Sequence, residues 1–459
     1  MSVKVAPPEA FEAALAPFMG EAVPDGETYQ SLSELAVGHP LAAGLARLDP
    51  FSEAYRDGAM ALYRDLSGRT GGYEPARDER SHAAAPPNPW TDLPPWGFRQ
   101  PALVAEFLLS WGRILRLLDA PQGGRVLEYG CGTGQLLLVL ARAGLRAHGV
   151  DIDADSIGTA RAQAESLGLP VRLEQAPFGE GFDGERFDRI VFFEAFHHAW
   201  DFEGLLRRLH DRLEPNGRLV FCGEPIVPDP QPSVPFPWGP RLDALSVVCM
   251  RRFGWMELGF QHAFFLRLLR RNGWRVAFHP APDCGRANAY VAEPAPATLL
   301  RLGEPCEMGD AAEGWGPPEG AHRRMVEGAG VLPLPPAWSG AGDGARVVVR
   351  ASNPGPSAKR LVVAAGARSA ALALGPGEDG AVELPGAPAA RLSLTCGTGA
   401  GDGRGVAVRE VELLEPAAPA AGAEAPEPGL LPLLKETAMP LWRRLPENVR
   451  ARLRGRSPR

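Results

Sequence analysis

The sequence has no Cys-x-x-Cys pair; its six cysteines, at 131, 222, 249, 284, 306 and 396, are scattered. Neither a disulfide framework nor a zinc pattern is present, so they read as free thiols in a reducing compartment. No run of about 18 apolar residues occurs, which excludes a membrane-spanning helix. The opening MSVKVAPPEAFEAAL lacks the apolar centre of a signal peptide. Positive charge is also short. A formal net charge of −7 argues against general nucleic-acid binding. The expectation is a cytoplasmic protein with no nucleic-acid partner.

Glycine and proline are plentiful. With 54 Gly and 47 Pro in 459 residues, the chain is expected to hold two or three domains joined by punctuated loops. Residues 1–99 read as a helical cap followed by a loop: Phe11, Leu15 and Phe18 share a helical face, as do Leu41, Leu45 and Leu48. The loop from Thr70 to Gln100 carries Trp90 and Trp96, which suit either a substrate lid or rings that fill core. Residues 100–295 alternate strands and helices, predicting an α/β domain with a Rossmann-like, doubly wound parallel sheet. Trp274–Phe278 and Ala289–Ala292 suggest a terminal antiparallel pair, and the Pro-rich stretch 225–260 an insertion beside the carboxyl edge of the sheet. Residues 296–341 read as a linker. Residues 342–415, with short strands between turns such as SNPGP, read as an antiparallel β-sandwich. A second linker (416–429) leads to a basic amphipathic tail (430–459).

The stretch Arg125 to Asp153, RVLEYGCGTGQLLLVLARAGLRAHGVDID, is the most informative. A buried strand runs into Gly130, Gly132 and Gly134, then a helix, then a strand ending at Asp151, giving a βαβ unit of about 30 residues. Glycines let the backbone turn sharply and approach a ligand without Cβ clashes. Asp151, 17 residues after Gly134, is placed to accept hydrogen bonds from both hydroxyls of a ribose. A nicotinamide dinucleotide would fit that much, but its motif spaces the glycines Gly-x-Gly-x-x-Gly and sets a pyrophosphate on the helix. Here the spacing is Gly-x-Gly-x-Gly, and Glu128 stands two residues before the first glycine. A carboxylate there repels pyrophosphate and suits a ligand carrying an ammonium and a sulfonium, which favours S-adenosylmethionine.

Glu128 to Gly134 (EYGCGTG) and Gly149 to Asp151 (GVD) resemble the first two motifs of class I S-adenosylmethionine-dependent methyltransferases. Phe187 to His198 (FDRIVFFEAFHH) and Leu213 to Leu219 (LEPNGRL) are similar to later segments of that family, and the likeness covers roughly residues 100–295. The resemblance implies S-adenosylmethionine as cofactor. Glu128, Tyr129, Gly130, Gly132 and Gly134 would lie at its methionine portion, Asp151 and Ile152 at its ribose, and Phe193 and Glu194 nearby. Many relatives carry an Asp for the adenine amine before the fourth strand. This chain has Glu174-Gln175-Ala176 there, leaving Gln175 or its backbone for that role.

Methyl transfer to oxygen calls for a base that titrates near the working pH, and histidine fits. His197 and His198 follow the fourth strand at the ligand-binding edge, and Glu224 ends the fifth. These three are the catalytic candidates, against the alternatives that the histidines pack or cap a loop and that Glu224 caps a turn. Glu194-x-x-His197-His198 has the look of metal ligands, but no third ligand has supporting spacing, and no metal is expected. Trp238 and Trp255 bring aromatic faces either to an acceptor or to core. A second CGTG at Cys396–Gly399 follows a strand with no helix behind it, so it reads as a loop.

The β-sandwich resembles accessory modules of bacterial surface-polysaccharide enzymes. The acceptor expected from it is a sugar or glycan intermediate, with a small-molecule acceptor of secondary metabolism as an alternative. A cofactor-binding scaffold without catalysis and a nicotinamide oxidoreductase are the rivals. The tail, with Leu441, Trp442 and Leu445 among arginines, suits the inner face of an anionic membrane, a polysaccharide-assembly partner or a solvated helix.

Overall fold

The structure, a computed structural model, describes residues 3–20, 26–80, 88–295, 298–302, 314–319, 322–325, 328–335, 338, 341, 344–386, 390–397 and 405–414. The chain divides into two compact units, Met1–Leu300 and Arg301–Arg459.

The first unit is built on a seven-stranded sheet. Its strands are β1 (Arg125–Tyr129), β2 (Arg146–Asp151), β3 (Arg172–Gln175), β4 (Phe187–Phe193), β5 (Leu213–Cys222), β6 (Trp274–His279) and β7 (Ala289–Pro294). They lie in the order β3-β2-β1-β4-β5-β7-β6. The first five run parallel, and β7 is antiparallel to both β5 and β6. β1 and β4 are buried along nearly their whole length, as strands covered on both faces must be. The order reverses between β1 and β4, and that switch point opens a crevice at the carboxyl ends of the strands.

Helices α1 (Pro8–Leu15), α2 (Gly26–Ser33), α3 (Pro40–Leu45) and α4 (Glu53–Ser67) precede the sheet. α4 starts at Ser52, whose hydroxyl accepts from the Tyr55 N–H, and ends at Gly68 in the left-handed region. α5 (Pro101–Leu118) buries Leu103, Phe107, Trp111, Ile114 and Leu118 as one stripe at helical spacing. α6 (Gln135–Arg142) and α7 (Ala154–Ser166) complete the βαβ units, followed by α8 (Phe202–Arg212), α9 (Ala244–Arg252) and α10 (His262–Arg271).

The cap differs from the helical reading in two ways. It holds two short parallel strands, Lys4–Ala6 and Leu35–Val37, and it shares a hydrophobic core with the insertion. Tyr55 and Tyr63 of α4 donate their hydroxyls to the carbonyls of Trp238 and Gly254, so 225–260 is where the cap is fastened. Trp238 itself is 1% exposed, and its indole N–H donates to Pro50 O at 2.8 Å. Three short strands, Ile226–Val227, Trp238–Pro240 and Leu258–Gln261, pair within the insertion.

The second unit contains two antiparallel sheets. One orders Trp315–Glu319, His322–Met325, Ala407–Leu414, Arg346–Ser352 and Asp379–Pro385; the other orders Ala329–Pro333, Arg391–Gly397, Lys359–Ala365 and Arg368–Leu374. Leu392, Leu394 and Cys396 are buried while their neighbours are exposed, the period-two signature of a half-buried strand. Three of these strands fall inside 296–341, which corrects the linker reading. Each is only four or five residues long, and in Trp315–Glu319 and Ala329–Pro333 prolines and glycines mask the alternation. Cys396 and Gly397 lie in a strand, paired with Leu361 and Arg360. The expected linker 416–429, the tail 430–459 and Cys306 lie outside the described residues. Among the described residues no helix is long and apolar enough to cross a membrane.

Candidate active site

The switch point opens into a cavity of about 630 Å³. Its first wall is the loop between β1 and α6. The N–H groups of Gly130 and Cys131 both donate to Val150 O, at 2.8 and 3.1 Å, folding the loop over the end of β2. Gly130 has φ +70°, and a Cβ there would stand 2.6 Å from the Cβ of Ala195. Only glycine satisfies both demands.

Two carboxylates face this loop. Asp151 Oδ2 accepts from the Gly132 N–H at 2.8 Å and Oδ1 from the Asp153 N–H at 2.9 Å. Glu128 is 3% exposed, and its Oε2 is buried without a hydrogen-bond partner. Burial, then the charge of Asp151, pushes the Glu128 carboxyl well above the usual range; burial likewise raises Asp151. An orphaned buried carboxylate oxygen beside a glycine cradle is a place shaped for a cation.

Strand alternation sorts the other cofactor candidates. Tyr129 points to the opposite side of β1 from Glu128: its hydroxyl donates to Glu180 O at 3.1 Å, and it does not line the cavity. Gly134 lies outside the lining as the left-handed N-cap of α6. Gln175 turns its amide to Ile152 O at 3.1 Å on the exposed edge of β3, whereas Pro177 and Phe178 reach the cavity. Gly130, Gly132, Asp151, Ile152, Phe193 and Glu194 all line it, with Glu128. Glu194 adopts φ +51°, unusual for a residue with a side chain, and its carboxylate pairs with Arg286.

Of the three catalytic candidates only His198 lines the cavity. The sharp turn at Glu194 leads into the 3-10 turn Phe196–His198, and Glu224 is the acceptor that holds this turn. Its Oε1 accepts from the N–H groups of Ala195 and Phe196 at 3.1 and 3.0 Å, and its Oε2 from the His197 N–H at 3.1 Å. His197 Nδ1 lies 2.9 Å from the same Oε2. Glu224 thus caps the turn from behind instead of meeting an acceptor hydroxyl. Burial and then the charge on His198 keep the His197 ring below its ordinary pKa. Burial opposes the Glu224 charge, but the His197 and backbone donors hold its carboxyl low.

His198 is different. Its Nδ1 lies 3.0 Å from Glu79 Oε2, and its ring meets Trp255 edge-on at 5.8 Å. Burial works against a charge on the ring, yet the Glu79 carboxylate, with Glu257 and Glu224 behind, raises it to about 9. A base poised near neutrality is therefore replaced by an imidazole that holds its proton.

Sequence reasoning missed Glu79 and Glu257, and left Trp255 open between an acceptor and core. Glu79 belongs to the Thr70–Gln100 loop, where no periodicity marks one acid above another, and is fixed by Tyr73 Oη at 2.8 Å and the Met256 N–H at 2.6 Å. The same loop lines the cavity with Pro75, Leu93 and Pro94; Trp96 packs edge-on against Trp111, and Trp90 is exposed. Trp255 and Trp238 both sit in an aromatic insertion, yet only Trp255 reaches the cavity.

Residues 104–232 match a family model described as a methyltransferase domain. A ubiquinone biosynthesis O-methyltransferase of Azorhizobium caulinodans is 36% identical over 125 residues, covering 27% of this chain and 48% of that protein. An S-adenosyl-L-methionine-dependent Diels-Alderase of Talaromyces variabilis is 32% identical over 123 residues, 26% of this chain and 40% of that protein. A demethylmenaquinone methyltransferase of Thermus thermophilus is 34% identical over 137 residues, 26% of this chain and 60% of that protein. The chain spans about half the length of the curated relatives it matches.

Proposed function

We propose that the chain carries a class I S-adenosylmethionine-dependent methyltransferase domain, a reading supported by its match to a methyltransferase-domain model over residues 104–232, and that the protein O-methylates a small, flat, largely apolar acceptor. The observation that carries this reading is the cavity itself. The glycine loop, Glu128 and Asp151 line it together with the apolar side chains of Leu93, Pro94, Phe178, Trp200 and Trp255, and His198 stands among them. Such apolar walls with a few placed polar groups suit a small aromatic body.

Glu128, Gly130, Gly132, Asp151 and Ile152 would hold the cofactor, and the orphaned Glu128 oxygen fits its positive charge. When bound, S-adenosylmethionine supplies an electrophilic methyl group. The protein's residues align the acceptor and exclude water. His198, backed by buried carboxylates, sets positive charge against the acceptor oxygen and so favours its deprotonated, nucleophilic form.

A sugar or glycan acceptor is the second reading. It draws on the C-terminal sheets, which we read as a sandwich of accessory-module type; Arg391–Gly397 buries one face, and Arg346–Ser352 is buried on both. Of the two tryptophans of the insertion that could offer it an aromatic face, Trp238 is in the core and Trp255 lines the cavity. The Diels-Alderase relative keeps a third reading open, a cofactor-binding domain that does not transfer methyl.

Isothermal titration with S-adenosylmethionine should give one site per chain, weakened in Asp151→Ala; no binding by the folded protein refutes the methyltransferase reading. Labelled methyl from the cofactor should appear in phenolic compounds but not in sugar nucleotides or lipid-linked glycans. The reverse pattern selects the glycan reading, and no product with either selects the non-catalytic one.

A further inference from the structure

Two imidazoles and three carboxylates meet behind the His198 wall, and their charges do not balance if both rings are neutral. The side chains of Glu79, Glu224 and Glu257 are 10%, 1% and 5% exposed. Among the described residues, the guanidinium paired with this group is that of Arg241, bound to Glu257 and shared with Asp243. With Asp243 the group holds four carboxylates against one guanidinium, so acids outnumber bases where water is largely excluded, a setting that favours a further cation.

The existing bonds show where a cation fits. Glu224 takes the proton on His197 Nδ1, leaving Nε2 as a lone pair. That lone pair faces Glu257 Oε2 at 3.7 Å, so two acceptors confront each other beyond hydrogen-bonding reach. The His197 and His198 rings are 4.3 Å apart, and one ligand atom from each of His197, His198 and Glu257 lies within 4.8 Å of the others. A zinc ion about 2.0–2.1 Å from each ligand would set them about 3.4 Å apart in a tetrahedron, so the three side chains would draw in around it from their present spacing.

We propose that His197, His198 and Glu257 bind a zinc-class divalent cation behind the His198 wall of the cavity. Two imidazoles and a carboxylate prefer such an ion to magnesium, which favours all-oxygen sites. Glu224 fixes the His197 tautomer from behind, the carboxylate–histidine–metal arrangement that orients a ligand. A divalent ion in place of the proton on the His198 ring adds positive charge to this acidic group. The sequence showed only the adjacent histidines; the third ligand comes from the far end of the insertion. His198 borders the cavity, so the ion would be the positive charge that meets the acceptor oxygen. That catalytic role rests on the methyltransferase reading, whereas binding of the ion does not.

The full chain, stripped with a chelator, should take up one equivalent of cobalt(II) with a visible d–d absorption band, displaced by zinc. Glu257→Gln and His198→Gln should each lose the band and bind zinc at least tenfold more weakly. Titration with S-adenosylmethionine and a thermal melt report that each variant is folded. Should Glu257→Gln unfold by freeing Arg241, His198→Gln at the cavity border decides. Failure of the folded, cofactor-binding chain to take up cobalt or zinc overturns the proposal, as does uptake unchanged in His198→Gln or a preference for magnesium. Cobalt uptake without cofactor binding supports the metal site and removes the methyltransferase reading instead.

Discussion

Glu128 shows how one side chain links the fold to its ligand. It is buried, lacks a partner for one oxygen and has Asp151 nearby, so its carboxyl binds protons more tightly than an exposed glutamate. A cationic ligand reverses that preference by favouring the ionised form. Affinity for S-adenosylmethionine should therefore be full above the raised pKa of the free protein and fall as pH drops through it, with protons released on binding. Calorimetry in buffers of different ionisation enthalpy should detect that release, and Glu128→Gln should abolish it. The same substitution should weaken binding about 10- to 100-fold, since a hydrogen bond to a charged group contributes about 1.5–3 kcal/mol. Gly130→Ala places a methyl group 2.6 Å from Ala195 at φ +70°. Equilibrium dialysis should show cofactor binding lost, while circular dichroism keeps the α/β signature.

At the scale of elements, the turn after β4 depends on an acid that never meets the ligand. Glu224 accepts three backbone N–H groups and the His197 ring. Glu224→Ala leaves those donors unpaired and should lower stability by about 3–5 kcal/mol, the usual cost of removing one partner from a buried charged cluster. Urea unfolding would measure it. Glu224→Gln keeps an acceptor oxygen and should lose less. The βαβ unit was legible in the sequence because its determinants are local: a buried strand, three glycines and an acid at the next strand end. Gln175 and Tyr129, assigned to the cofactor by resemblance, do not line the cavity, because which face of a strand a residue occupies depends on what covers the sheet. Glu79 and Glu257 could not be found at all. Each becomes a partner of His198 or His197 only once cap and insertion share a core.

For the whole molecule, two units with separate cores imply separable stability. In the C-terminal unit Arg350 Nη1 and Glu412 Oε2 pair at 2.9 Å with side chains 7% and 0% exposed. Glu412→Ala should destabilise that unit by about 3–5 kcal/mol, because the guanidinium is left buried beside an apolar side chain. Calorimetry should show one transition lowered, with S-adenosylmethionine still bound at one site per chain. Loss of cofactor binding would mean that the units depend on each other.

The sequence by itself determined the parallel sheet, the glycine loop and the two carboxylates proposed to hold a positively charged nucleotide-like ligand. Those features act over short chain distances, where backbone conformation and charge order are set by neighbouring residues. Only the tertiary structure decided which histidine faces the cavity, which acid stands behind it and which tryptophan is core. The groups that meet there come from residues 79, 198, 224 and 257. No spacing along the chain encodes their meeting; it follows from burial of the cap against the insertion and of both against the carboxyl edge of the sheet.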